Sequence, residues 1–216
     1  MFFVSLTAAT LALAAADSAP PAAPGLWAGH HVQLGARDLP FRGKTQTRTD
    51  TYVLATARRV GDKLVLTERA CTVNFAKVGG VKVWLDAAAL PASTFTLHEA
   101  DDGWVGTSHV KWQREDIDDD GAPGMTVNVD GVCSGQLHVA NDSLTMATAD
   151  VGGGSIQGKA RVTISQRILG AKGKCLEWMA EDSAEIVSAR FAYVPVPAGT
   201  TCESLTREGW PVKAGR

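Results

Sequence analysis

Residues 155–168 read SIQGKARVTISQRI, and the alternation in that stretch decides the fold class. Ile156, Gly158, Ala160, Val162, Ile164 and Ile168 fall on one side of an extended chain. Ser155, Lys159, Arg161, Thr163, Ser165 and Arg167 fall on the other. One apolar face and one wet face is the pattern of an antiparallel strand with a core on one side only. Looser alternation marks residues 46–56, 64–75, 104–112 and 125–129 as further strands. Turn signals separate them: Gly61-Asp62, Asp101-Asp102-Gly103, Asp130-Gly131, Asn141-Asp142 and residues 151–154. Asp130-Gly131, between two valine-bearing runs, is the strongest hairpin signal.

Two segments resist the strand reading. Residues 86–90, Asp-Ala-Ala-Ala-Leu, suit a helical turn that Pro91 ends, and residues 176–189 are rich enough in Glu and Ala to hold a short helix. Residues 191–196 alternate again as a last strand. With no internal repeat and no linker, the fold expected is all-β: one antiparallel, closed or nearly closed, lipocalin-like β-barrel with a disulfide-stapled C-terminal extension. Closure removes the edges that so many strands would otherwise expose. A two-sheet β-sandwich is the alternative.

The remaining composition narrows the class of protein. A chain of 216 residues with 45% hydrophobic content can bury a sizeable core, and 22 glycines suit many turns. A net charge of -2 argues against nucleic-acid binding and against a basic membrane-surface module. Residues 1–16, MFFVSLTAATLALAAA, carry no charge and end in the small residues of an A-x-A cleavage site, so they read as a signal peptide cut before Asp17. The segment is too short for comfortable membrane crossing. Residues 17–24 read as a leader, and residues 25–216 as a single β domain of a secreted or periplasmic protein, expected to be a monomer.

Export makes the four cysteines, Cys71, Cys133, Cys175 and Cys202, a disulfide framework. Of three connectivities, Cys71–Cys133 with Cys175–Cys202 is preferred, because the second bridge would staple the C-terminal segment. No C-x-x-C pair supports zinc.

Residues 115–127, EDIDDDGAPGMTV, are the sharpest chemical feature. Asp116, Asp118 and Asp120 stand at alternate positions and Gly121 follows, as in the opening of a D-x-D-x-D-G calcium loop. The Ala122 carbonyl falls where such loops use a backbone oxygen. An EF-hand needs a bidentate Glu at its twelfth position, where this chain has Val127, and Gly124 stands at the ninth. The expectation is a structural Ca2+ site of the weak extracellular range, against the alternative of an acidic loop solvated by water and salt.

The run from Asp116 to Val127 resembles a loop in uncharacterised exported bacterial proteins, where it precedes a strand like residues 166–171, QRILGA. The resemblance covers about a third of the chain and implies no activity. Trp27, in Gly25-Leu-Trp27, is similar to the G-x-W at the first strand of lipocalin-like barrels.

Catalytic motifs fail on inspection. Residues 153–159 satisfy G-x-x-x-x-G-K, but Ala160 replaces the Ser or Thr of a phosphate loop and a strand follows. No G-x-S-x-G or H-E-x-x-H is present. His30 and His31 point to opposite faces of a strand, and His98, His109 and His138 lack metal spacing. Asp101/Asp102 and Glu181/Asp182 are the available carboxylate pairs, and Trp104 and Trp112 share one strand face. Two functions therefore fit the sequence. The first is a non-enzymatic exported barrel that binds a small apolar or sugar ligand or serves in the envelope. The second is an exported hydrolase acting on glycans or other envelope polymers, with acids of residues 115–120 at its site.

Overall fold

Eight strands close on themselves in sequence order. The computed structural model describes residues 25–39, 43–131 and 133–215, so the expected signal peptide and leader lie outside the described residues. The strands are β1 (Gly25–Leu39), β2 (Gly43–Val60), β3 (Lys63–Phe75), β4 (Lys82–Trp84), β5 (Ser93–Ala100), β6 (Gly103–Trp112), β7 (Met125–Asp130), β8 (Gly135–Gly152), β9 (Ser155–Lys172) and β10 (Ser183–Val196). Antiparallel pairing runs β1–β2–β3–β5–β6–β8–β9–β10 and returns from β10 to β1. This up-and-down ring leaves only β4 and β7 as a side branch, on the first part of β8. The ring is uneven rather than cylindrical.

The decisive stretch behaves as its pattern requires. Ile156 and Val162 are buried inside, and Arg161 and Thr163 are exposed outside. All eight ring strands contribute to one core, which includes Trp27, Val53, Leu66, Leu97, Trp104, Ala149, Ile156 and Phe191. Some inward positions have no room for a side chain. A Cβ on Gly158 would sit 2.3 Å from the Phe191 ring and 2.3 Å from the Thr148 carbonyl oxygen. The glycine there is a packing requirement, since the neighbouring ring already fills the space.

Helices are few. Ala87–Ala89 form one turn of 3-10 helix, N-capped by Asp86, whose carboxylate accepts from the Ala88 amide at 2.9 Å. Helix α1 (Lys174–Met179) sits at the start of the segment expected to contain a helix, and β10 takes up the rest from Ser183. Helix α2 (Cys202–Glu208) was not expected; Thr201 and Ser204 close a capping box at its start. Leu205 of α2, with Val212 and Ala214 of the tail, covers Ala28, Val32 and Ala192 on the outer face of β1 and β10. His30 fastens the tail: its Nδ1 accepts from the Ala214 amide at 2.9 Å, which leaves Nε2 to donate to Asp50 at 3.0 Å.

Two expectations are corrected. The disulfides are Cys71–Cys202 and Cys133–Cys175, not Cys71–Cys133 and Cys175–Cys202. Cys71 is the extra residue where the β2–β3 register shifts between Tyr52 and Val53, and it bonds the first residue of α2. Cys133 lies in the turn before β8. Pairing of Gln136 with Lys172 brings that turn to α1 and Cys175. The C-terminal extension is stapled as expected, through the other partner. Asn141-Asp142 is no turn but the middle of β8, where Asp142 meets His109 and Lys111 of β6, each at 2.8 Å. Cross-strand charge pairing outweighs the local turn preference of the two residues.

Candidate functional site

The inner face of the ring changes character along its length. Towards one end the inward side chains are sealed, with Ala55, Leu66, Leu97 and Ile156 all at 0% exposure. Towards the other, Gln33 on β1, Thr47, Thr49 and Thr51 on β2, Val73 on β3 and Thr145 on β8 keep partial exposure. Their inward direction follows from register: His31 pairs with Thr51, Gln33 with Thr49 and Gly35 with Thr47. A Cβ on Gly35 would lie 3.0 Å from the Thr47 hydroxyl, so the threonine shares that face.

Between the sealed and open halves stands a polar group that motif searching missed. The Tyr193 hydroxyl bonds Glu68 through a short contact, and His31 Nε2 lies 2.8 Å from the same hydroxyl and 3.9 Å from Glu68 Oε2. Tyr193 is fully buried and Glu68 is 7% exposed, whereas the His31 side chain keeps 23% and faces the open half. With Glu68 ionised, the Tyr193 proton goes to the carboxylate, so His31 must donate from Nε2 and carries its lone pair on Nδ1. Burial pushes the Glu68 carboxyl up to about 7, against the opposing pull of the Tyr193 hydrogen bond. Burial also lowers His31 to about 4 and raises Tyr193 well above its ordinary range. At neutral pH the wall therefore presents an uncharged imidazole backed by a phenol and a carboxyl that is only part-ionised.

The sequence did carry one signal for this group. Leu64, Leu66 and Glu68 share a parity on β3, so an acid occupies a position reserved for the core. Phe191 and Tyr193 repeat that parity on β10, and His31 follows Trp27 and Gly29 on β1.

The acidic loop lies elsewhere, between β6 and β7. Gly124 closes it at both ends, its carbonyl accepting from Ile117 N and its amide donating to Glu115 O, each at 2.9 Å. Asp119 takes a left-handed φ of 53° and Gly121 one of 82°, and this turns Asp116, Asp118 and Asp120 towards one another. One carboxylate oxygen from each lies within 4.8 Å of the others, a spread that one cation can bridge. The carboxylates also serve the loop itself. Asp116 accepts from the Gly121 amide at 2.8 Å, Asp120 from the Ala122 amide at 2.8 Å, and Asp118 from the Thr126 amide at 3.0 Å. The Thr126 hydroxyl donates to Asp120 at 2.7 Å, so buried His138 must donate from Nδ1 to that hydroxyl at 3.1 Å. The Thr126 hydroxyl and the Ala122 amide hold Asp120 below the ordinary carboxylate range. Asp118 Oδ1 is buried without a hydrogen-bond partner, and a hard cation would satisfy it. Ala122, expected to lend its carbonyl, is buried in the same turn.

The other expected residues separate. Glu115 turns back to accept from the Gln113 amide at 2.6 Å. Asp101 and Asp102 are exposed in the β5–β6 turn, and Asp182 accepts from the Ile168 amide at 2.8 Å. Trp104 joins the core, while Trp112 donates to the Val139 carbonyl at 3.1 Å.

No protein-family model matches the chain, and no curated protein matches it with significance. Among solved structures, DynF from the dynemicin biosynthesis pathway of Micromonospora chersina is similar at 10% identity. It covers 84% of each chain with a TM-score of 0.42.

Proposed function

We propose that this is an exported, non-enzymatic small-ligand-binding protein whose ligand enters the open half of the ring and rests against His31, Tyr193 and Glu68. The observation that carries the reading is the placement of these three groups on the inner wall, where the sealed apolar half meets the open, more polar half. A buried carboxyl and imidazole cost folding energy that Leu or Val at the same positions would not. A ligand that meets His31 with a polar head while its apolar body lies among Val73, Val162 and Val187 gives that cost a use. Two disulfides accord with an oxidising compartment, in the periplasm or outside the cell.

A neutral fluorescent probe, N-phenyl-1-naphthylamine, tests the site. Saturable binding of one equivalent is expected, with affinity reduced at least tenfold by Thr49→Trp, which fills the open half. Absence of saturable binding, or equal binding by the variant, contradicts the reading.

The acidic loop is assigned a structural Ca2+ held by Asp116, Asp118 and Asp120 with the Ala122 carbonyl, a role supported by the unsatisfied Asp118 Oδ1. A ligand at tenfold its Kd adds about 1.4 kcal/mol to folding, a rise of roughly 3–6 °C in Tm for a chain of this size. A melt in 10 mM Ca2+ should show that rise, and Asp118→Asn should remove it. An unchanged midpoint sinks the calcium assignment while leaving the ring site intact.

A further inference from the structure

The Cys133–Cys175 disulfide has a third sulfur against it. The Met179 thioether lies 3.5 Å from Cys133 Sγ and 3.8 Å from Cys175 Sγ. Cys175 and Met179 stand four residues apart on α1, so one face of the helix presents both. Cys133 arrives from the turn before β8, held there by the β8–β9 register. All three residues are half-buried, which leaves them open to a small reagent without sealing them into the core. The other methionines among the described residues are placed differently: Met125 is buried in the body and Met146 stands 62% exposed on β8.

We propose that reduction of Cys133–Cys175 converts this trio into a soft-metal site that takes Cu(I). A dithiol reductant delivers two electrons and two protons to the disulfide, the S–S bond breaks, and the reductant leaves as its own disulfide. Cu(I) then displaces both thiol protons to solvent and binds two thiolates and one thioether, with no change in copper oxidation state. Thiolate and thioether donors select Cu(I) over hard cations. In a trigonal site with metal–sulfur bonds of about 2.3 Å, the sulfurs stand about 4.0 Å apart. Both Met179 contacts already approach that spacing, so breaking the covalent bond opens the one edge still missing. The oxidised protein offers no thiolate, so the disulfide keeps the site closed until it is reduced. The exposed Trp178, one residue before Met179, provides a local fluorophore.

The test uses the full chain, oxidised or reduced by dithiothreitol and desalted without air. Cu(I) is supplied as tetrakis(acetonitrile)copper(I) against bicinchoninate. One equivalent should bind the reduced protein and none the oxidised. Cys71→Ser/Cys202→Ser should keep the site, and Cys133→Ser/Cys175→Ser should lose it. Met179→Leu, which preserves packing, should weaken binding at least tenfold. Trp178 fluorescence should be quenched on binding. The proposal is overturned if the reduced protein takes up no stoichiometric copper, if uptake survives loss of Cys133 and Cys175, or if Met179→Leu leaves the affinity unchanged.

Discussion

His31 and Glu68 give opposite contributions to the pH dependence of stability, and the signs follow from their shifts. Glu68 titrates near 7 in the fold against an ordinary 4.5. Between those values the unfolded chain has already lost its proton, so stability falls as pH rises. His31 titrates near 4 against 6.5, so the unfolded chain holds the extra proton in that window and stability rises with pH. In the intact protein the slopes overlap and largely cancel between about 4.5 and 6.5. Glu68→Gln should leave only the rise between pH 4 and 6.5, and His31→Gln only the fall between pH 4.5 and 7. Each amounts to on the order of 3 kcal/mol in urea unfolding measured across the range. Tyr193→Phe removes the bridge and strands both partners, at a cost of about 1–3 kcal/mol at pH 7. Flat profiles in Glu68→Gln and His31→Gln would show that neither group titrates at its shifted value. Glu68 was visible in the sequence as an acid on the core parity of β3. Its meeting with Tyr193 was not, because 125 residues separate them and only the ring register brings them together.

Strands and tight hairpin turns were the legible elements, and the long-range junctions were not. The alternation at residues 155–168 located β9, and the turn signals at Gly61-Asp62 and Asp101–Gly103 sit where hairpins form. Asn141-Asp142 misled because its charge partners lie on β6, out of reach of local reasoning. The disulfide pairing was equally hidden: it depends on a bulge that releases Cys71 from the β2–β3 ladder and on where β9 delivers α1. Two predictions belong here. Gly158→Ala drives a Cβ into a backbone oxygen and the Phe191 ring, and should cost at least about 1–3 kcal/mol by strain at an overpacked site; a cost near zero in urea unfolding would mean that the inner face has slack. Removing Cys71–Cys202 opens a loop of 131 residues, worth about 5 kcal/mol in the chain-entropy model. Cys71→Ser/Cys202→Ser should therefore lower Tm sharply and expose the α2-covered face of β1 to hydrogen exchange. Unaltered protection at Ala28 and Val32 would mean that apolar packing alone holds α2.

At the scale of the whole molecule, closure follows from strand number and a single buried face, and both were readable in the chain. The division of the ring into a sealed and an open half was not, since Thr47, Thr49 and Thr51 look like any exposed β-formers until register turns them inward. That division is what a ligand site requires. Adjacent histidines make it measurable, because β1 sends His31 into the ring and His30 to the tail outside. Two-bond proton–nitrogen correlation spectra of the two imidazoles, recorded as N-phenyl-1-naphthylamine is added, read both faces at once. Binding in the ring predicts that the His31 nitrogens shift with a saturating profile while those of His30 stay fixed. Shifts at His30 alone, or at neither ring, would contradict a ligand site on the inner wall.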